Sequence, residues 1–393
     1  MKKLLTYLAA TTILSGPAMA EEVKLGVLLG FTGPLESVAG DMASGAELAM
    51  AEVNESGAFL GGSTVVSVRG DSTCIDAGAA TAAAERLISS ERVSAIVGAT
   101  CSGASTAVLQ NVAMPKGVVM ISPSATSPAL SSVEDNGLFF RTAPSDARQG
   151  QVIAEMMVER GVKSAALTYT NNDYGKGLSE SIASNFEALG GEITINSAHE
   201  DGKGDYSAEV ASLSAAGGDV LIVAGYLDQG GKGIIQSALD LDAFETFVLP
   251  DGMVGDSLLA AIGEGLNGSY GVLPGSEGDV AATFAAMVDK AGFKVGPYAG
   301  ESYDAAALIL LAMQAAGSSD GATFKDRIMD VANAPGEQIM PGDLARGLQI
   351  LAEGGEIDYV GASGVELIGA GESAGNFREI LVEDGAQTTV RFR

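Results

Sequence analysis

Two short polar stretches and three isolated side chains hold the residues that could do chemistry. The first stretch is Gly98-Ala99-Thr100-Cys101-Ser102-Gly103, which follows the apolar run Ser94–Val97 and opens a helical pattern. Free backbone N–H groups at such a turn attract anions, and Ser102 adds a hydroxyl donor. The second is Ser122-Pro123-Ser124-Ala125-Thr126-Ser127-Pro128, after the run Val118–Ile121. Its two prolines stiffen a loop carrying four hydroxyls. Each stretch also reads as an ordinary strand-to-helix or surface turn. The isolated side chains are Tyr174, Tyr226 and Asp251, each just beyond a strand-like run. A Pro-Asp-Gly aspartate is commonly a turn former, and an aromatic at a strand end commonly belongs to a rim or core. Together, an anion-friendly side facing a carboxylate and two aromatics is complementary to a small zwitterion with an apolar side chain, a free α-amino acid.

Those residues need a scaffold that gathers strand ends along one edge. Strands are expected at Val23–Leu29, Thr64–Val68, Ser94–Val97 and Val118–Ser122, with helices at Asp41–Asn54, Ala77–Ser89 (capped by Asp76) and Gly103–Val112 between them. The rhythm restarts after the extended segment Phe139–Ser145. Strands at Ser164–Tyr169, Glu192–Ala198, Val220–Gly225 and Phe247–Leu249 alternate with helices at Gln149–Arg160, Leu178–Leu189, Tyr206–Ala215 and Gly233–Leu239. After Tyr270–Leu273 the pattern is mainly helical: Val280–Ala291, Ser302–Ala316, Phe324–Ala332 and Asp343–Ala352. The last forty or so residues read as short strands between Gly-rich turns. This is an α/β chain with two doubly wound parallel units, and ligands in such sheets sit at the carboxyl ends of the strands.

The first twenty of the 393 residues read as an export signal. Lys2 and Lys3 precede an apolar stretch from Leu4 to Ser15, Gly16-Pro17 breaks it, and Ala18-Met19-Ala20 is an A-x-A cleavage site. No cysteine lies near the cut, so no lipid anchor is expected there. No later stretch reaches the roughly 18 apolar residues of a membrane span, and a soluble product is expected. Export makes ATP or NAD chemistry a poor guess. The charge is −28, from 22 basic and 50 acidic residues, and more negative still once the two lysines are removed. Such a chain is repelled by nucleic acid and by anionic lipid. Cys74 and Cys101 form either one disulfide or two buried thiols; a disulfide would contribute roughly 3–4 kcal/mol through loop closure. With His199 they make a thin ligand set, so no metal and no cofactor is expected. His199 has no G-x-S-x-G partner, and Gly230-Gly231-Lys232-Gly233 lacks both the earlier glycine and the Ser/Thr of a phosphate loop. No catalytic constellation assembles, and an enzyme is not expected.

The ordered series of motifs resembles the periplasmic leucine/isoleucine/valine-binding proteins, the branched-chain amino-acid receptors of ABC importers. The resemblance is carried by Lys24-Leu25-Gly26-Val27 with Thr32-Gly33-Pro34, by Asp71 and Cys74, by Gly98 to Ser102, and by Ser122 to Pro128. Phe140-Arg141-Thr142, Asp173-Tyr174-Gly175-Lys176-Gly177 and Gly225-Tyr226 complete it. It implies a type I periplasmic binding protein fold, with two α/β lobes joined by three hinge crossovers. The expected lobes are residues 21–142 plus 276–360, and residues 143–275 plus 361–393, behind a signal at 1–20. It implies that Cys74 and Cys101 are the family's disulfide. Ser102 and Thr126 would hold a ligand carboxylate, with the Ser124 carbonyl and Asp251 on the ammonium, while Tyr174, Tyr226 and Tyr298 line the pocket and Ala125 counts among the ligand-binding residues. It implies a periplasmic monomer delivering its ligand to an ABC permease. The Leu35–Gly40 stretch departs from the family in lacking an aromatic, which predicts a roomier or differently shaped side-chain pocket. Relatives of this fold also take amides, urea or aromatic acids, or act as ligand sensors.

Overall fold

The structure, a computed structural model, describes residues 20–393. The expected export signal therefore lies outside the described residues, apart from Ala20. Two seven-stranded sheets organise the chain. The first contains β1 (Glu22–Leu29), β2 (Thr64–Asp71), β3 (Ala95–Gly98), β4 (Val119–Ser122) and β5 (Phe139–Pro144), in the order β5-β4-β3-β1-β2. The second contains β6 (Ser164–Thr170), β7 (Glu192–His199), β8 (Val220–Ala224), β9 (Phe247–Leu249) and β10 (Tyr270–Pro274), in the order β10-β9-β8-β6-β7. The two windings are the same, and all of these neighbours run parallel. Residues such as Leu25, Val27, Leu28, Ile96, Val97, Ile222 and Val223 are fully buried. That is why these strands are apolar runs and not alternating ones: helices cover both faces of a parallel sheet.

A small parallel pair, β11 (Glu337–Ile339) with β12 (Ile357–Tyr359), lies apart from both sheets. Four further strands complete the two main ones. β13 (Leu367–Ile368) and β14 (Glu372–Ser373) extend the first sheet beyond β5, while β15 (Phe377–Glu383) and β16 (Ala386–Phe392) extend the second beyond β10. This corrects the expected division, which gave residues 361–373 to the second lobe. Ser373 and Glu372 pair with β5, and the Glu372 carboxylate meets the buried Arg141 guanidinium, so this stretch belongs to the first unit. The first unit also keeps residues 143 and 144, at the end of β5. The chain passes between units near residues 145, 276 and 375, three crossings in all.

Most helices match their expected places with longer ends. The helix expected from Leu178 begins at Asp173, because Asn172 caps it by accepting the Gly175 N–H at 3.1 Å. Asp76 caps its helix as expected, accepting from Gly78 and Ala79. The helix expected over Phe324–Ala332 is broken, with a tighter turn at Lys325–Arg327 between two short pieces. Helix Ala299–Ala316 is apolar nearly all round and is buried along almost its whole length, between helix Glu36–Ser56 and the first sheet.

Helices Glu36–Ser56 and Ala299–Ala316 meet at Gly45. A Cβ there would stand 2.2 Å from the Ala299 carbonyl oxygen, a backbone atom that cannot turn aside. Gly45 thus sets where Tyr298, the next residue back, is held. Gly45→Ala is expected to destabilise the protein by about 1–3 kcal/mol through overpacking, read as a lowered denaturant midpoint at unchanged slope.

Candidate functional site

The carboxyl ends of the parallel strands face each other across the gap between the units, as the doubly wound order requires. From the first unit come Thr100, Cys101 and Ser102 after β3 and Ser124 after β4. From the second come Tyr174 after β6, Tyr226 after β8, and Asp251 with Gly252 after β9. Leu35 and Tyr298 close the ring. The space left inside is about 10 Å³, roughly one water.

Asp251 is the centre of the site. Its side chain is buried, and it accepts hydrogen bonds from both flanking phenols: Tyr174 Oη to Oδ1 at 2.7 Å, and Tyr298 Oη to Oδ2. Tyr298 precedes a helix of the first unit, so its bond to Asp251 spans the gap. Tyr174 stacks on Tyr226 with ring centroids 5.1 Å apart and planes 17° from parallel. Burial raises the Asp251 carboxyl above its ordinary range, while the two phenols pull it back by stabilising the charge. The phenols are themselves pushed up, first by burial and then by the Asp251 charge. They remain donors at every physiological pH.

Behind Asp251 lies a second buried carboxyl that the sequence reading missed. Asp146 Oδ1 accepts from Gln149 Nε2 at 2.8 Å, and Gln149 Oε1 accepts the Asp251 N–H at 3.1 Å. Burial, then the nearby Asp251 charge, holds Asp146 well above the usual carboxylate range. The signal was present in Ser145-Asp146, a capping serine followed by an acid. In sequence terms it reads as a helix start, and only the crossing of the chain there turns it towards the gap.

The first-unit loop is built from buried polar contacts. Ser122 Oγ donates to the Ala99 carbonyl at 2.6 Å and accepts the Ala125 N–H at 3.0 Å. Ser124 Oγ donates to the Thr100 carbonyl at 2.8 Å. Arg141, 1% exposed, donates through Nη1 to the Ala125 and Ser127 carbonyls at 3.1 and 2.9 Å. The Ala125 N–H is held by Ser122 and its carbonyl by Arg141, and Ala125 does not line the cavity. Thr126 is also fully buried and outside the lining, with its carbonyl accepting the Asp146 N–H at 2.8 Å. Ser102 does line the cavity. Its Oγ accepts the Ser127 N–H at 3.1 Å, which leaves the hydroxyl proton free to donate. Ser124, Tyr174, Tyr226, Asp251 and Tyr298 line the cavity as well.

Two further points concern shape. The expected extra room near Leu35 is not found in this conformation, because Leu35 and the three tyrosines pack the gap. Cys74 and Cys101 form a disulfide, with Cα atoms 5.1 Å apart. It ties the segment after β2 to the loop after β3, and Cys101 lines the cavity. Among the described residues no group of three metal-ligating side chains assembles.

The raised carboxyls make a stability prediction with a definite sign. Folded Asp146 keeps its proton at pH values where the unfolded chain has lost it. Its burial therefore costs stability as pH rises from the unfolded pKa, about 3.9, towards the raised folded value. Asp146→Asn keeps the bond to Gln149 and removes that cost. Its melting temperature is expected to exceed the parent's at pH 7, with the gain shrinking as pH falls towards 4.

Comparison with known proteins places this geometry. The family described as "Periplasmic binding protein" matches residues 22–345. The Leu/Ile/Val-binding protein homolog 1 of Brucella melitensis biotype 1 is 30% identical over 320 residues, covering 80% of this chain and 83% of that protein. The leucine-binding protein LivK of Thermotoga maritima MSB8 superposes with a TM-score of 0.79 at 23% identity, covering 94% of this chain and 98% of that one. A solute-binding protein of an ABC transporter from R. palustris, solved in complex with benzoate, gives 0.76 at 19% identity, with 94% and 96% covered. The fold thus has its counterpart in known proteins, and the chain belongs to the periplasmic binding protein family.

Proposed function

We propose that this protein is an extracytoplasmic receptor that captures a free amino acid, with a branched aliphatic side chain, and hands it to an ABC importer. The observation that carries this reading is the position of Asp251: a buried carboxyl on the second unit, sharing its cavity with the Ser102 hydroxyl and with Ser124 of the first. A ligand ammonium would replace the phenol protons on Asp251, and a ligand carboxylate would take the Ser102 hydroxyl. The relatives named for leucine, isoleucine and valine support the choice of side chain. The N-terminal segment supports export.

An amino acid is far larger than about 10 Å³. Entry therefore requires the units to part, pivoting at the three crossings near residues 145, 276 and 375. The closed form is held across the gap by Tyr298 on Asp251, by the Ser37 N–H on the Asp228 carboxylate at 2.9 Å, and by the Asp228 N–H on the Pro34 carbonyl at 3.1 Å. A bound zwitterion adds one anchor from each unit. It thereby favours closure, and the closed surface is what a permease would read. Nothing in this cycle changes the ligand covalently. The protein would work as a monomer.

An aromatic acid, as in the R. palustris relative, carries no ammonium. The buried Asp251 carboxyl on the cavity wall opposes such a ligand. Calorimetry of the mature protein with leucine, isoleucine, valine and benzoate tests the reading. Binding of the amino acids and not of benzoate is expected, and Asp251→Ala is expected to weaken amino-acid affinity at least a hundredfold while the far-UV spectrum stays the same. Tight benzoate binding, or unchanged leucine affinity in Asp251→Ala, would overturn it.

A further inference from the structure

A second, larger cavity lies between the two units on the other side of Tyr298. Its volume is about 660 Å³, within the usual range for small-molecule sites. Phe284, Pro297 and Tyr298 line it from the first unit, and Leu273, Pro274 and Phe392 from the second. Into this mostly apolar space project an acidic and a basic side chain. Glu301, on the first turn of helix Ala299–Ala316, is 4% exposed. Arg378, on β15, sits beside Leu273 of β10 and Phe392 of β16. Among the described residues neither side chain makes an ion pair or a hydrogen bond, although each feels the other's charge. By contrast, the guanidinium groups of Arg160 and Arg393 both hold Glu379. Glu301 and Arg378 stand on different units and line the same cavity.

Burial makes the Glu301 carboxyl costly to ionise without a cation beside it, and the Arg378 guanidinium has no counter-ion. We propose that this cavity is a second ligand site, distinct from the one at Asp251, which takes a small zwitterion with its carboxylate on Arg378 and its ammonium on Glu301. Such a ligand satisfies both charges at once and lays its side chain against Phe284, Leu273 and Phe392. Tyr298 walls both cavities, and its hydroxyl is the cross-gap donor to Asp251. Occupancy here bears on the same closure that the first site uses, and by linkage the coupling is reciprocal.

The charges facing the cavity give the binding a pH signature. Besides Glu301 and Arg378, Asp41, Asp256 and Lys294 lie on its wall, and Asp304 is one turn beyond Glu301 with its oxygens held by Tyr359, Ser363 and the Ala362 N–H. Burial pushes Glu301 up to about 8, with Asp304 adding to the rise and Arg378 opposing it. Below that value Glu301 must lose a proton to receive an ammonium, so affinity for a zwitterion should rise with pH by up to tenfold per unit. A ligand with only a carboxylate would gain nothing from that ionisation and would bind less tightly as Glu301 becomes negative.

The test is calorimetry of the mature protein with leucine, and with isovalerate as the carboxylate-only analogue, at pH 6 and pH 8. Two classes of leucine site are expected in the parent protein. Arg378→Gln and Glu301→Gln, checked by melting curves, should each abolish one class and leave the other intact. Asp251→Ala should keep the class that the other two variants lose, and that class should tighten at pH 8 and exclude isovalerate. A single equivalent of leucine in the parent, or the same two classes in all variants, overturns the proposal. So does isovalerate binding to the Asp251→Ala protein as tightly as leucine. Because Asp251 reports on the first site and Arg378 on the second, failure of one reading is distinguishable from failure of the other.

Discussion

A carboxylate removed from water must find donors, and in this protein that demand falls on Asp251. Leaving such a group without partners costs several kcal/mol. Two phenols meet the demand, one from its own unit and one from the opposite unit. The gap between the units is therefore bridged by the same atom that a ligand ammonium would seek. With an ammonium bound there as proposed, recognition and closure would be coupled through one side chain, and the architecture brings Tyr174, Tyr298 and Asp251 to one point.

That positioning is done by rigid parts. Asp251 follows a three-residue strand in the middle of the second sheet, and its N–H is held by Gln149 from the helix that begins at the first crossing. Tyr298 is placed by a helix packed so closely on its neighbour that only glycine fits at residue 45. The first-unit loop is fixed by Arg141, whose guanidinium substitutes for water around the buried carbonyls of Ala125 and Ser127. Charged hydrogen bonds of this kind are worth about 1.5–3 kcal/mol each, more than neutral ones. They make the carboxylate side of the site stiff enough to discriminate.

Much of this was legible in the residues. The apolar runs followed by Ser102, Ser124, Tyr174, Tyr226 and Asp251 placed those side chains at strand ends, and two-layer helices over parallel strands left few other arrangements. What the sequence hid were pairings of distant segments. Asp146 reads locally as a helix start, and its approach to Asp251 is made by the turn of the chain between units. The Ala125 N–H goes to Ser122, a contact three residues away that spacing alone does not show. The extent of the first unit was misjudged because β14 is two residues long, too short for any periodicity, and is held by an ion pair to Arg141. Glu301 and Arg378 come to line one cavity only because the crossing near residue 375 lies between them.

The balance of closure follows from the character of the cross-gap contacts. Ser37 with Asp228, and Asp228 with Pro34, lie near the surface, where a hydrogen bond nets about 1 kcal/mol. The Tyr298 bond is stronger because it is buried, but it satisfies a cost that Asp251 would not bear in an open, hydrated gap. The closed form therefore gains little from these contacts by themselves. A ligand shifts such an equilibrium only by its differential affinity, and about 5.5 kcal/mol suffices to carry a population from 1:99 to 99:1. A zwitterion that touches one unit in the open form and both in the closed form has a differential of this order available from a single buried ion pair. Weak intrinsic closure is thus a requirement of the design: if the units adhered strongly by themselves, the liganded and unliganded shapes would be the same, and a downstream transporter would have nothing to distinguish.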